Sequence, residues 1–570
     1  MKNAEIAEIF NDIADILEIE GENRFRIRAY RIAAQNIEDL NEDVEAVLRK
    51  EKLLDIPGIG KDLAGKIEEY VKRGKIKFYE DLKKSVSRPV LELMTIPGVG
   101  PKTAKLLCDR LKVKSINDLK KKASQGKIGN IFGVKEKKVE NILRGIDFLK
   151  GSEGRTLLSH AVRVSFEVIS QLKALAAAKK VVAAGSLRRM KETVQDIDIL
   201  VTSNAPRRVT DAFTKLPEVK EVLAHGPTKS SVITRDAIQV DLRVVEPPSF
   251  GAALCYFTGS KSHNISLRKM AKRRGLKINE YGVFRVKTNK KIAGLDEEGL
   301  YKAIDLAYIP PELREDKGEI EAALRGKLPA LIESKDIKGD LHVHSDASDG
   351  ALSFEEIARA CLKLGYEYVV ITDHSKSLKI AGGLEQKALF ENIKKIRKLN
   401  KKLKIRLLIG TEADILGDGR LDYPDSVLKE LDFVIAAVHS GFKQPKDVIT
   451  GRVIKAMDNK YVNMIAHPTG RLIGKREAYE IDMEKVFKKA KETNTTIEIN
   501  AYPERLDLDD TSSRRAKELG IMLGIATDTH TINQFHNMIF GVSVARRAWL
   551  EKKNVLNTLD LERFLKRIRK

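Results

Sequence analysis

The sequence predicts a multidomain α/β protein with a helical N-terminal region, a mixed α+β middle region and a C-terminal (β/α)7 barrel. Three observations support this prediction. A Pro-Gly turn repeats in the first third, two strand patterns carry aspartates in the middle, and seven apolar strand-like runs end in polar side chains in the last part. A length of 570 residues is too great for one hydrophobic core and agrees with several domains.

The composition, with 42% hydrophobic and 32% charged residues, is typical of a soluble globular chain. No apolar run approaches the roughly 20 residues that cross a bilayer, and the N-terminus has no apolar signal core. We therefore expect a cytoplasmic protein without a membrane partner. The three cysteines have no CxxC spacing, so neither a disulfide framework nor a thiolate zinc site is indicated.

The net charge of +23 indicates a polyanionic partner. Residues 1–337 and 338–570 both carry more Lys and Arg than Asp and Glu, as expected if nucleic acid touches both halves. A lysine-rich solvated surface would give the same charge, so this observation alone leaves both explanations open.

The helical region repeats a turn, IPGIGK at 56–61 and IPGVGP at 96–101, with a degenerate copy, IFGVKEKK, at 131–138. Such a turn brings bare backbone amides to a helix N-terminus, where they can bind a phosphate oxygen. One copy would often be an ordinary helix connection. Two copies and a remnant predict helix-hairpin-helix units that grip a DNA backbone without reading its sequence, through Gly58, Gly60, Gly98, Gly100 and Lys102.

An upstream helix, NRFRIRAYRIAAQNI, mixes arginines with aromatic residues. The arrangement suits a DNA end, with Arg26 and Tyr30 as candidate contacts. A solvated helix with an aromatic core contact would have the same sequence, and that alternative stays open.

The middle region contains the segments GSLRRMKETVQDIDIL at 185–200 and AIQVDLRVV at 237–245. Asp196 and Asp198 alternate on a predicted strand and share a face, and a second strand supplies Asp241. Three carboxylates on adjacent strands can hold two divalent ions, which can activate a 3′-hydroxyl and stabilise leaving pyrophosphate. A DxD pair alone occurs by chance, but the Gly185-Ser186 turn before it strengthens the prediction.

These segments resemble the nucleotidyltransferase palm of the X-family DNA polymerases, and YFTGSKSHNISLR at 256–268 and INEYG at 278–282 continue the match. The resemblance implies that the three aspartates are catalytic ligands of Mg²⁺ or Mn²⁺. It assigns the incoming nucleotide to Arg155, Gly185, Ser186, Arg189, Tyr256, Phe257, Gly259 and Asn264. It assigns the template side to Arg268 and Tyr281.

The same resemblance places Lys66 where that family has its lyase lysine, which can form a Schiff base with an abasic sugar. A phosphate contact or a plain surface lysine is the alternative. The chain departs from the family at Gln239, where polymerase beta has an arginine, so the primer's 3′ end is expected to be held differently.

The last region holds seven of the ten histidines, and six of them lie at or just beyond predicted strand ends. In a (β/α) barrel those ends meet at one mouth. Imidazole and carboxylate without thiolate suit zinc, manganese or iron, and nine ligands are enough for about three ions. The nine candidates are His342, His344, Asp349, His374, Glu412, His439, His467, Asp528 and His530.

This half resembles the PHP (polymerase and histidinol phosphatase) domain through HVHSDASDG, TDHS, GTE, AVHS, AHP and TDTH. The resemblance implies a seven-stranded barrel with a trinuclear site and phosphoesterase chemistry. Asp373, Asp414, Glu498 and His536 lie near the motifs as outer groups. Together the two resemblances match the PolX family, X-family polymerases with a C-terminal PHP nuclease.

The PolX resemblance implies gap filling on gapped or nicked DNA with dNTPs, 3′-5′ exonuclease action and processing of blocked 3′ ends and abasic sites. We expect a monomer. The expected boundaries are 1–85 for a lyase-like helix-hairpin-helix domain, 86–150 for fingers, 151–246 for the palm, 247–316 for the thumb, 317–337 for a linker and 338–570 for the PHP domain. Two alternatives are a purely structural barrel and a DNA-end scaffold fused to a small-molecule phosphoesterase.

Overall fold

The computed structural model describes residues 2–38, 44–56, 58–94, 99, 101–125, 154–474 and 476–569. The chain forms two compact units, Met1–Arg155 and Thr156–Lys570. Within the described residues, no helix combines the length and the apolar character that a membrane crossing requires.

The first unit is helical around a core that includes Phe10, Tyr30 and Ile67. The helix predicted for NRFRIRAYRIAAQNI is present as Arg24–Glu38, because its apolar residues form one face at helical spacing. The helices are Lys2–Glu20, Arg24–Glu38, Val44–Arg49, Lys61–Arg73, Lys77–Ser85, Arg88–Met94, Pro101–Leu111 and Ile116–Ser124, with a 3₁₀ turn at Leu53–Asp55.

The first Pro-Gly turn leads directly into a helix. Gly58 has φ +80°, and a Cβ there would lie 2.6 Å from Ile32 Cγ2, so the turn requires glycine. Gly60 is the N-cap of the Lys61–Arg73 helix. Gly98 and Gly100 of the second turn, and the third copy at 131–138, lie outside the described residues.

The second unit begins with a mixed sheet in the region that resembles a polymerase palm, which is called the palm below. Its strands are β1 (Thr156–Leu157), β2 (Lys180–Ala183), β3 (Thr193–Val194), β4 (Asp196–Thr202), β5 (Val219–His225), β6 (Lys229–Thr234) and β7 (Gln239–Val245). Five of them form a sheet in the order β2-β4-β7-β6-β5, in which β4 and β7 run parallel. Burial alternates along β7, so one face packs on the core and the other is left for a site. The helices are Leu158–Lys173, Gly185–Arg188 and Pro206–Phe213.

A smaller α+β region follows, with the antiparallel strands β8 (Leu276–Asn279), β9 (Gly282–Arg285) and β10 (Lys291–Ala293). Its helices are Phe250–Thr258, Lys261–Arg273, Glu297–Ala303 and Glu319–Leu324, with 3₁₀ turns at Pro247–Ser249, Pro311–Leu313 and Ser334–Asp336. Ile332, after the last of these helices, is fully buried and donates its amide to Leu550 O, so this connection packs on the barrel.

The C-terminal region is a parallel barrel of seven strands in sequential order. The strands are β11 (Gly339–Val343), β12 (Tyr368–Ile371), β13 (Arg406–Asp414), β14 (Phe433–Ala437), β15 (Val462–Ile465), β16 (Thr496–Asn500) and β17 (Leu523–Ala526). Thr529, just after β17, accepts the amide of His344 and donates to His342 O, which closes the ring. The predicted fold class, with its seven-stranded barrel, is confirmed.

Helices surround this barrel. They are Phe354–Lys363, Gln386–Leu399, Asp425–Leu428, Lys446–Met457, Met483–Thr493, Asp510–Glu518, Met538–Arg547 and Leu561–Ile568, with 3₁₀ turns at Lys379–Ala381, Ile532–Asn537, Lys552–Asn554 and Leu556–Thr558. The last helix inserts Phe564, fully buried, against the rings of Tyr368 (4.5 Å between centroids) and Phe433 (5.8 Å). Because Tyr368 and Phe433 each begin a strand, this helix covers the end of the barrel opposite the polar mouth.

We predict that Phe564→Ala lowers the free energy of unfolding of the barrel by about 3–5 kcal/mol, because it leaves a cavity beneath the strands. Trp549, the single tryptophan, lies in the barrel region and reports the transition by fluorescence during urea unfolding. Phe166→Ala is the control, since that side chain is 71% exposed in the same unit. Equal midpoints for both variants would contradict this role for Phe564.

Candidate active sites

The first site lies on the palm sheet. Parallel pairing sets Asp198 directly opposite Asp241, and Asp196 precedes Asp198 by two residues on the same face. Burial, together with the negative charges of Asp196 and Asp241, raises the pKa of Asp198 to about 7. Such close like charges favour divalent cations as partners.

Gln239, where polymerase beta has an arginine, donates its side-chain amide to Asp241 Oδ1 at 2.9 Å. It therefore orients one of the three carboxylates. Asp198 and Asp241 also line a cavity of about 200 Å³ with Lys229, Arg243 and others. Sequence reasoning did not identify Lys229 or Arg243. Only the pairing of β6 with β7, which sets these two residues opposite each other, brings Lys229 to the site.

Gly185 begins a one-turn helix beside the carboxylates. Its φ is +62°, and a Cβ there would collide with the carboxylate of Asp198. The turn thus brings the backbone against Asp198 at a distance that only glycine permits. Ser186, half-buried, is the next residue of this helix.

The predicted nucleotide residues lie on the neighbouring helices. Arg189 donates Nη1 to Thr258 O at 2.6 Å, and a Cβ at Gly259 would lie 3.3 Å from the same nitrogen. Asn264 Nδ2 donates to Tyr256 O at 2.7 Å.

The rings of Tyr256 and Phe257 meet edge to face with 5.2 Å between centroids. Arg268 donates Nε to Asn264 O at 3.2 Å, and Tyr281 is 58% exposed. Arg155 is exposed at the end of the first unit.

Lys66 belongs to the first unit, where its side chain is only 12% exposed. Its Nζ pairs with Asp62 Oδ1 and lies 5.1 Å from the ring centre of Phe78. Arg26 also lies over Phe78, at 5.3 Å.

The expectation that Tyr30 contacts DNA is corrected by the structure. Tyr30 is buried between Phe10 and Phe78, so it is the aromatic core contact that the sequence left open as the alternative. Lys102 is exposed on the Pro101–Leu111 helix.

The second site is the mouth of the barrel, where all nine predicted ligands lie near one another. Glu412 is central, since its carboxylate lies 2.9 Å from His374 Nδ1, 2.9 Å from His467 Nε2 and 3.3 Å from His439 Nε2. Parallel strands deliver these side chains from their carboxyl ends to one place.

Two aspartates complete the mouth. Asp349 lies 3.4 Å from His374 Nε2 and 3.4 Å from His530 Nε2, and Asp528 Oδ1 lies 3.3 Å from His344 Nε2. Within the described residues, ligand atoms less than 4.8 Å apart form three overlapping groups. They are His344, Asp349, His374 and His530; His342, His344 and Asp528; and His374, Glu412 and His439.

The barrel mouth passes a direct test for metal ions. Among the residues that the structure describes, His342 Nε2 and both ring nitrogens of His344 are buried and have no hydrogen-bond partner. A buried polar atom without a partner is costly, and these nitrogens face carboxylate oxygens at ligand-to-ligand distances. Burial, together with the neighbouring histidines, lowers the pKa of His344 to about 4, so this imidazole is neutral. Burial opposes protonation of His374, but Glu412 and Asp349 outweigh it and raise its pKa to about 10, so a cation that binds there would displace a proton.

Outer carboxylates orient the imidazoles. Glu498 Oε1 lies 2.7 Å from His342 Nδ1, and Asp414 Oδ1 lies 2.7 Å from His439 Nδ1, which leaves each Nε2 directed to the centre.

Asp373 instead accepts the amide and hydroxyl of Ser345, and His536 is exposed. Sequence reasoning missed Arg505, whose Nε lies 3.6 Å from Asp528 Oδ2. It stands in a loop outside the motifs, so no spacing pattern indicated it.

These two sites on these folds define an X-family polymerase joined to a PHP phosphoesterase barrel. Family matches agree. Residues 1–76 match a helix-hairpin-helix domain, 90–147 a SAM-like helix-hairpin-helix tandem, 253–315 the DNA polymerase beta thumb and 340–502 the PHP domain.

Similar proteins identify the family more closely. The DNA polymerase/3′-5′ exonuclease PolX of Bacillus subtilis (strain 168) is 41% identical over the full length of both chains. A "Probable phosphatase" of Thermoanaerobacter sp. (strain X514) is 32% identical over 38% of this chain and 89% of its own. Another, of Caldanaerobacter subterraneus, is 34% identical over 34% of this chain and 75% of its own. The chain belongs to the PolX family.

We predict that Gly185→Ala lowers primer extension by about 100-fold, because a Cβ at this position displaces the Asp198 carboxylate. The control is Gly275→Ala, which has the same left-handed backbone, φ +70°, but open space around its Cβ. Extension is measured on a gapped duplex. If both variants lose activity equally, backbone strain and not the collision with Asp198 is responsible.

Proposed function

We propose that this protein repairs DNA by filling short gaps at the palm and trimming the primer 3′ end at the barrel mouth. The observation that carries this proposal is the register of β4 and β7, which sets Asp198 opposite Asp241 with Asp196 beside them. A scaffold that only binds DNA ends has no use for three clustered carboxylates, so this geometry favours an enzyme.

At the palm, Asp196, Asp198 and Asp241 would hold Mg²⁺ or Mn²⁺, which supply Lewis-acid stabilisation to the phosphate oxygens when bound. Gln239 keeps Asp241 oriented. Ser186, the backbone of Gly185 and Arg189 would bind the triphosphate, with Arg155 as a further contact.

The other predicted site residues would contact the nucleotide, the template and the DNA backbone. Tyr256, Phe257, Gly259 and Asn264 would contact the sugar and base of the incoming dNTP. Arg268 and Tyr281 would face the template. The turns at Gly58, Gly60, Gly98 and Gly100, with Lys102 and Arg26, would hold the DNA backbone without reading its sequence.

At the barrel mouth, the nine ligands would hold about three ions of Mn²⁺, Zn²⁺ or Fe, the metals that suit imidazole with carboxylate. The name of the Bacillus relative includes 3′-5′ exonuclease activity, and we assign this activity to the barrel mouth. The partnerless nitrogens of His342 and His344 favour a loaded metal centre over a purely structural barrel. Blocked 3′ ends and abasic sites are further substrates that we propose for it.

We also propose that the protein has the domain boundaries stated above and is a monomer. It would act in the cytoplasm, where DNA and dNTPs are available. The proposal also includes a 5′-deoxyribose phosphate lyase activity at Lys66, which would make the protein fit for base excision repair. The low exposure of Lys66, between aromatic rings and Asp62, supports a specialised lysine.

We predict that the two sites can be inactivated separately on a 5′-labelled primer across a one-nucleotide gap with Mn²⁺. The double variant Asp196→Asn, Asp198→Asn is expected to lose primer extension with dNTPs but to shorten the primer when dNTPs are left out. The double variant His342→Gln, His344→Gln is expected to extend the primer but not to shorten it. Each loss exceeds the roughly 10–100-fold cost of removing a group that only orients a metal ligand.

Each double variant is the folding control for the other, since both retain one activity. A wild type that extends but never shortens the primer would show that the barrel is structural or acts on another phosphoester. Retention of extension by the aspartate variant would overturn the assignment of the palm.

For the lyase, we predict that borohydride traps a covalent complex of the wild type with DNA carrying a 5′-deoxyribose phosphate, and that Lys66→Ala abolishes it. Lys72→Ala is the matched control, because Lys72 lies on the same helix and pairs with Glu68 as Lys66 pairs with Asp62. Trapping that persists in Lys66→Ala would exclude this lysine. Weaker DNA binding without any trapping in the wild type would favour a phosphate contact.

A further inference from the structure

The palm arginine that faces the nucleotide site is held partly by the barrel. Arg189 donates Nε to Glu315 Oε1 at 2.9 Å, and Glu315 stands at the end of the thumb region. The same oxygen accepts Nη1 of Arg547, from the barrel helix Met538–Arg547, at 3.0 Å. Arg547 Nη1 also donates to the backbone carbonyl of Arg189 at 2.9 Å, and its Nη2 donates to Asp510 Oδ2 at 2.6 Å.

This network is buried and balanced in charge. The exposed fraction is 2% for Arg547, 10% for Glu315 and 12% for Arg189. Burial opposes ionisation of Glu315, but Arg547, Lys191 and Arg189 outweigh it and lower the pKa of Glu315 to about 2. Two arginines therefore share one carboxylate that is ionised at neutral pH, in a largely buried region.

Arg189 connects this network with the palm site. Its Nη1 bonds to Thr258 O next to Gly259, and its positive charge acts on Asp198. The Nε and Nη1 bonds fix the plane of the guanidinium, and in the described part of the chain its Nη2 group has no hydrogen-bond partner, so it can bind a ligand anion. The position of Glu315 thus sets the direction in which Arg189 points.

Arg188, the preceding residue, has a parallel arrangement. It binds both oxygens of Glu297, at 2.9 and 2.6 Å, and Glu297 also accepts Arg314 at 2.6 Å. In each case a glutamate bridges a palm arginine and a second, buried arginine. For Arg188 the second arginine comes from the thumb region, whereas for Arg189 it comes from the barrel.

We propose that Arg547, a residue of the PHP barrel, is a positioning residue of the polymerase site, acting through Glu315 on Arg189. Without Arg547, the buried Glu315 carboxylate would bind Arg189 more tightly and compete with the incoming triphosphate. The barrel would then be needed for nucleotide binding as well as for its own chemistry. This inference rests on the proposed role of Arg189 as a triphosphate ligand.

The test is steady-state gap filling by the full-length protein with Arg547→Gln. The KM for dNTP is expected to rise about tenfold, the size typical of coupled residues in one network, while kcat and the Kd for gapped DNA change little. Shortening of the primer by the barrel in the same preparation should stay unchanged, which shows that the barrel is folded.

Arg546→Gln is the matched control. Arg546 precedes Arg547 on the same helix and also crosses to the thumb end, donating to Glu312 Oε1 at 2.7 Å and Ile332 O at 2.9 Å. Within the described residues it forms no hydrogen bond or ion pair with Arg189. An equal rise in KM for both variants would mean that the interface acts only as a structural support, and the proposal would fail.

The KM for dNTP is also measured for Arg189→Gln and for the double variant Arg189→Gln with Arg547→Gln. These two variants distinguish the proposed role of Arg547 from the proposed role of Arg189 as a triphosphate ligand. If Arg189→Gln leaves KM unchanged, the proposed role of Arg189 is wrong. If it raises KM, Arg547→Gln should add little in that background, because its effect passes through Arg189. A full additional rise would overturn the positioning role.

If Arg547→Gln does not fold, Arg547→Lys replaces it, because lysine keeps the positive charge but lacks the planar guanidinium. We expect Arg547→Lys to give a KM for dNTP between those of the wild type and Arg547→Gln. An unchanged KM would contradict the proposal.

Discussion

Parallel strand pairing is the constraint on which both sites depend. In the palm, only β4 and β7 of the five-stranded sheet run parallel, and their register brings two carboxylates face to face. In the barrel, all seven strands run parallel, so side chains that are far apart in sequence arrive at one mouth. A shift of one residue in either register would turn the functional side chains to the opposite face.

The same convergence concentrates charge and polar atoms that the protein alone cannot neutralise. In the palm, burial and two neighbouring carboxylates raise the pKa of Asp198. In the barrel, three buried imidazole nitrogens of His342 and His344 have no hydrogen-bond partner in the part of the chain that the structure describes. Both sites are therefore incomplete as bare protein, and cations with water or phosphate oxygens are the groups that complete them.

Much of the fold and most residues of the two sites could be predicted from the sequence, because they follow from patterns within short segments. Alternation placed Asp196 and Asp198 on one face, and the ends of apolar runs marked the barrel ligands. The remainder depends on contacts between distant segments. The burial of Tyr30 depends on Phe78, the orientation of His342 depends on Glu498, and the bond from Gln239 to Asp241 depends on rotamers, none of which has a signature in spacing.

The interface between palm, thumb end and barrel shows how charge is distributed in a basic protein. Arg314 and Arg547 are buried, Arg189 is partly buried, and each is paired with a carboxylate. Buried pairs of this kind contribute less to stability than apolar contacts do, but their geometry permits few alternative arrangements. Because these cations are neutralised internally, the excess positive charge resides in exposed lysines and arginines, where it can displace counterions from a DNA backbone. Buried arginines thus organise the protein, and exposed ones are available to its substrate.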